Sequence, residues 1–254
     1  MAIDWQDEGI VLTARAQSEN ALLLTALTFD HGRHAGWVPG GTGERARALY
    51  QPGNRLALTW SARLADHLGR FRAEPLQLLA GQVIDRRLEM TALLAVTQMV
   101  DAALGEREPH PTLYAGLLHL IGKLARGDHW QGDFVRFELL LLGELGVALD
   151  LDHCAITGRQ SNLSFVSPKT GRAVAAGAAP EFEHRLLVLP AFVRDGGEPD
   201  GLSFLDGLKL SGWFLQRWVL DALNKTMPVA RDRLVQLIDP ATSKQGSSSS
   251  GEQT

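Results

Sequence analysis

The chain has 254 residues, 45% of them apolar and 21% charged, and a formal net charge of −4. This length exceeds what one hydrophobic core usually spans, so two domains are expected, and the mildly acidic balance excludes a protein coated in basic residues. Cys154 is the only cysteine, which rules out an intrachain disulfide and gives no reason to expect an oxidising compartment.

The N-terminal stretch MAIDWQDEG carries three acids and no apolar run, unlike a signal peptide. No apolar run approaches the length of a membrane span. A soluble, cytoplasmic protein is the expectation. Next comes strand grammar. Ile10, Leu12 and Ala14 alternate with Val11, Thr13 and Arg15, and Leu22, Leu24, Ala26 and Thr28 follow at period two. Asp30-His31-Gly32-Arg33 reads as a hairpin turn, since Gly32 can take the positive φ that a tight turn needs. Glu44 to Tyr50 reads as helix or loop. Leu56, Leu58 and Trp60 form a strand after the Pro52-Gly53-Asn54 turn, and Arg70 to Leu76 form a last one. About five short strands within residues 1–78 fit a small closed or nearly closed barrel, as in an oligonucleotide-binding (OB) fold.

Near Ala80 the period changes. Arg87 to Leu104 carries apolar residues at helical spacing, and a proline-flanked loop, Glu108 to Pro111, precedes a helix with Leu113, Leu117, Leu120, Ile121 and Leu124 on one face. Gly132-Asp133 opens a third helix with Asp133 as N-cap. Ser203 caps a fourth, and Pro228 begins a fifth that ends near Ile238. Residues 151–189 break this rhythm with turns and two short strands, Leu163 to Val166 and Arg172 to Ala175. The serine-rich stretch 239–254 is expected to be disordered.

The barrel segment carries the positive charge. From Gly9 to Arg72 there are eight arginines (Arg15, Arg33, Arg45, Arg47, Arg55, Arg63, Arg70, Arg72) against four acids. On a chain that is acidic overall, this bias points to a polyanion. The arginines, with His34 beside them, would neutralise phosphates, and Trp37 would offer a stacking platform. The plainer reading is a set of solvated arginines and a core tryptophan. For Trp60, alternating with Leu56 and Leu58, the core reading prevails. The Gly40-Gly41-Thr42-Gly43 loop lacks the Lys-Ser/Thr of a nucleotide cradle and instead leaves Arg45 and Arg47 room to meet DNA. Lys169 and Arg172, in the turn of VSPKTGRAV, are either a second basic contact or a plain turn. Arg136 sits among Phe134, Val135 and Phe137, either paired locally or awaiting an anion. No histidine or carboxylate spacing suggests catalysis or a metal.

DEGIVL at 7–12, DHGRHAG at 30–36, QPGNRL at 51–56, EREPHPTLYAGLLHLI at 106–121, FVRFELLLLGELG at 134–146, LDHCAITG at 151–158 and VSPKTGRAV at 166–174 together resemble the RecO family of bacterial recombination mediators. The resemblance implies a non-enzymatic protein without cofactors, associated with the bacterial nucleoid. Such a protein binds single- and double-stranded DNA, anneals complementary strands and, with RecR, helps load recombinase on DNA coated by single-stranded DNA-binding protein (SSB). It also implies a site for the acidic SSB tail on the helical domain, with Arg136 gripping the terminal carboxylate and Phe134 and Phe137 flanking the tail's last ring. Many relatives hold zinc through paired cysteines in the inserted region. Here only Cys154 remains, with Thr157 at its companion position, and no metal is expected.

The expected fold is thus α+β and multidomain. An N-terminal OB-fold β-barrel over 1–78 is followed by an α-helical domain over 79–238, with a zinc-less, turn-rich insertion at 151–189. Two rival functions stay open: a protein-interaction adaptor whose barrel docks another repair protein, and a metal-dependent nucleic-acid enzyme.

Overall fold

Ile3–Ser18 (β1) is long enough to serve two neighbours. Its first half runs antiparallel to β4 (Arg55–Ala62), from Ile3 opposite Ala62 to Ile10 opposite Arg55. Its second half pairs with β2 (Ala21–Thr28). Register shifts between Val11 and Thr13 and between Ala16 and Ser18 divide the strand; such bulges sharpen the local twist and help a small sheet curl onto itself. With β3 (Gly32–Pro39) and β5 (Arg70–Gln77) the sheet closes as a barrel in the order β1-β2-β3-β5-β4. The computed structural model describes residues 3–64 and 66–239, without the side chain of Arg45. The expected tail, apart from Asp239, lies outside the described residues.

Gly32 turns the β2–β3 hairpin at φ +67°, as its sequence position suggests, and a Cβ there would stand 2.0 Å from the Glu108 carbonyl oxygen. Both the backbone angle and the close approach require glycine. Val11, Leu24, Leu56, Leu58, Trp60 and Phe71 belong to one cluster inside the barrel. Ile10, Val11 and Leu12 of β1 are all fully buried, so both faces of the strand are covered there. The reason is α2 (Arg87–Ala103), which packs against β1 and covers its outer side. Glu44–Leu49 is a short helix, α1. After it, buried Asn54 donates to the carbonyls of Ala48 and Leu49 and accepts from the Ala80 amide, so the QPGN turn pins α1 to the segment leaving the barrel. At the end of α3 (Pro111–Arg126), Arg86 donates to the Leu124 and Ala125 carbonyls, 2.7 Å each, satisfying acceptors that a helix end leaves open.

By contacts the chain divides after Asp128. The barrel strands end at Gln77, and α2 and α3 group with them. The second unit contains α4 (Gln131–Glu144), a small sheet of β6 (Leu163–Val166), β7 (Ala173–Ala175) and β8 (Leu187–Val188) in the order β7-β6-β8, and α5 (Ala191–Asp195). It continues with α6 (Gly201–Phe214), a π-helical stretch Leu215–Leu220, and α7 (Val229–Ile238). Two caps differ from expectation. Asp200 caps α6, its carboxylate accepting from the Ser203 amide at 2.7 Å; Ser203 is the residue capped, because a cap's side chain reaches the amide two or three positions on. Asp133 lies within the first turn of α4, which starts at Gln131, and its carboxylate takes Arg136 instead.

Three helices of this unit meet at a buried ion pair. Arg231 of α7 donates from Nε to Glu138 Oε1 at 2.6 Å and from Nη2 to Glu138 Oε2 at 2.9 Å, and also to the Leu208 carbonyl. Ser211 of α6 donates to the same carboxylate. No helix among the described residues is long and apolar enough to cross a membrane.

Candidate nucleic-acid interface

Period two in β5 sends Phe71 into the core, 1% exposed, and its neighbours Arg70 and Arg72 outward on one side. In the β4–β5 ladder Arg70 stands opposite Ser61 and Arg72 opposite Thr59; Arg63 follows directly after β4. Trp37 of β3 meets Arg70 where the barrel closes and donates its amide to the Gly69 carbonyl at 3.0 Å. These residues surround a depression of about 480 Å³ lined by Trp37, Ser61, Arg63, His67, Gly69 and Arg70. A second depression, about 530 Å³, shares Ser61 and Arg70 and extends to Arg72 and Pro39. A third shares Arg72 and reaches Asp7 and Glu74. Together they form a furrow that is basic over most of its length, with the exposed Glu74 at the far end.

The loop between β4 and β5 is fixed from below. Trp60 Nε1 donates to the Leu68 carbonyl at 3.0 Å, and Gly69, at φ +67°, lies so close that a Cβ would stand 2.3 Å from the Trp60 indole. Among the described residues, Arg63, Arg70 and Arg72 have no ion pair and no side-chain hydrogen bond. Trp37, 36% exposed, presents a partly open ring beside them. Unpaired guanidinium groups beside an open aromatic face can hold phosphates and stack a base.

The other expected contacts are placed differently. Arg33 donates to Asp101 at 2.8 Å and Glu106 at 3.3 Å, with its side chain 17% exposed. Arg55 pairs with Glu8, and that hydrogen bond holds its guanidinium above its ordinary pKa. Both arginines are therefore engaged within the protein. Arg15 is 70% exposed, with Asp101 at 4.0 Å. Arg47 lies on α1, its Nε donating to the Thr42 carbonyl. Arg45 is in α1, with its side chain outside those described. His34 is inside the barrel, 4% exposed. In the second unit Lys169 is exposed in the β6–β7 turn, and Arg172 pairs with Asp150 at 3.2 Å. Phe134 and Phe137 are core residues, 0% and 4% exposed. Arg136 is held by Asp133 at 2.8 Å and by the Phe192 carbonyl at 3.1 Å.

His67 and Ser61 join the furrow; Ser61 did not stand out in the sequence, and the signal available was its position near the end of β4. Cys154 is buried, with the Thr157 and Ala175 amides directed at its sulfur. No group of three His, Cys, Asp or Glu side chains able to hold a metal occurs among the described residues.

Residues 1–79 match the family described as Recombination protein O N terminal, and residues 86–226 match Recombination protein O C terminal. The chain is 44% identical over 234 residues to the DNA repair protein RecO of Ruegeria sp. (strain TM1040), a match covering 92% of this chain and 97% of that protein. It is 42% identical over 241 residues to the DNA repair protein RecO of Rhodospirillum rubrum, covering 92% and 96%. It is 41% identical over 236 residues to that of Cereibacter sphaeroides (strain ATCC 17025), covering 93% and 98%.

Proposed function

This chain belongs to the RecO family, and on that basis we propose that it is a DNA-binding repair protein of recombination whose furrow, between β3, β4 and β5, receives a DNA strand. The observation that carries this reading is the convergence of Arg63, Arg70 and Arg72, without a partner among the described residues, beside the open ring of Trp37. Each arginine can take a phosphate with two parallel hydrogen bonds. The five-stranded barrel then acts in the manner of an OB fold, with a basic track for the backbone and an aromatic surface for the bases.

The finer parts of the proposal come from the resemblance. They are the annealing of complementary strands and cooperation with RecR in loading recombinase on SSB-coated DNA. Annealing follows from the same chemistry, since guanidinium groups lower the repulsion between two phosphate backbones. Of the residues expected to receive the SSB tail, Arg136 alone presents a partly open side chain, and gripping a carboxylate would mean releasing Asp133.

The direct test reverses two charges. Arg70→Glu with Arg72→Glu should lower affinity for single-stranded oligonucleotides by about tenfold to a hundredfold and leave the unfolding midpoint unchanged. Both side chains are exposed and neither has a partner among the described residues to lose. An electrophoretic shift assay reads the affinity, and unaltered binding by a folded double variant would remove the furrow from the proposal.

A further inference from the structure

A second aromatic hollow, about 260 Å³, opens where the β2–β3 hairpin turns, lined by Ile3, Trp5, His31, His34, Trp60 and Arg107, with Asp30 at its edge. Its walls are rings. Trp5 stacks on His31 at 4.1 Å and lies 5.6 Å from Trp60, and His34 meets Trp5 and Trp60 edge-on at 5.0 and 4.8 Å. His31 is oriented by Asp7, Nδ1 to Oδ2 at 2.9 Å. An apolar cavity of about 150 Å³ is enough for a benzene ring, so this hollow has room for a fused heteroaromatic ring system.

Two features of this end of the barrel are unusual. His34 is buried, yet neither ring nitrogen completes a hydrogen bond within the protein, a state that costs free energy and calls for an explanation. Arg107 holds a left-handed backbone, φ 65°, uncommon for a residue with a side chain. Its amide donates to the Arg33 carbonyl, its Nη2 donates to the His67 carbonyl at 3.0 Å, and its guanidinium lies 6.0 Å over Trp60. The backbone strain thus sets a cation at the rim of an aromatic hollow. Through His67, that cation also touches the loop that borders the furrow.

We infer that this hollow is a nucleobase pocket, in which one unstacked base of a furrow-bound strand lodges against Trp5, with Trp60 and His34 behind it and Arg107 over its rim. The inference rests on the proposed DNA-binding reading and adds where a base is held. Rings and an arginine plane are what an unstacked base selects. A quaternary ammonium also favours aromatic walls, but here Arg107 already places a positive charge over Trp60.

Photocrosslinking tests this. A single-stranded oligonucleotide carrying 5-iodouracil, irradiated on the full-length protein, should label Trp5. His34→Leu and Arg107→Gly (glycine keeps the positive φ) should each reduce that label severalfold. Both variants should also narrow the preference for a base-bearing oligonucleotide over an abasic one of equal length, expected at about tenfold, while abasic affinity stays unchanged. Label confined to Trp37, equal affinity for the two oligonucleotides, or equal losses for both in the variants would overturn the pocket and leave the furrow standing. No binding of either oligonucleotide would remove the DNA-binding reading and the pocket with it.

Discussion

His34 shows how a single residue can decide where a charge is tolerated. Burial, with Arg107 and His31 adding repulsion, lowers its pKa from 6.5 to about 4. The folded protein therefore holds a neutral imidazole where the unfolded chain takes up a proton at pH 6.5. The stability this contributes is complete above pH 6.5 and is lost as the pH falls toward 4, because the unfolded state binds more protons in that window. At roughly 1.4 kcal/mol per pKa unit the loss amounts to about 3 kcal/mol. Urea unfolding at pH 7 and pH 4.5 should show wild type losing about 2 to 3 kcal/mol more than His34→Leu over the same interval. Arg33 and Arg55 teach a different lesson. Counting charges between Gly9 and Arg72 made them part of a basic excess, yet their partners, Asp101, Glu106 and Glu8, all lie outside that window. Composition sees a charge but not its partner.

At the scale of elements, period two is the most dependable signal. It places Phe71 inward and sets Arg70 and Arg72 side by side, which is why the furrow's two central arginines are legible from the alternation of β5 alone. Helical spacing is less informative in α4, where apolar residues surround the helix. Phe134 and Phe137 give no sign in the sequence that they belong to the core, and Glu138 gives no sign of being fully buried. That carboxylate joins α4 to α6 and α7 through Ser211 and Arg231. Glu138→Gln should cost about 3 to 5 kcal/mol, since Arg231 would keep a buried charge without its counter-charge. Replacing the pair together, Glu138→Leu with Arg231→Met, should cost much less, and a denaturant series on the single and double variants measures the difference. Equal losses would mean that packing rather than charge holds the junction.

For the molecule as a whole, the number of free arginines sets the response to salt. With three phosphates engaged, log affinity for single strands should fall with log salt at a slope of about −2, against roughly −6 if all eight barrel arginines took part. Fluorescence anisotropy across a salt series separates the two. A slope near −6 would mean that Arg33 and Arg55 leave their carboxylates on binding. A slope near zero would exclude backbone neutralisation altogether.

The amino-acid sequence by itself determined the strand-then-helix order, the turns at Gly32 and Gly53, the basic bias of its first segment and the family. These follow from neighbours along the chain, which periodicity and turn chemistry can read. Tertiary structure decided which arginines remain free, which aromatics are core and that Arg107 leans over Trp60. Those outcomes depend on residues brought together from distant positions, and electrostatic pairing and burial act through space rather than along the chain.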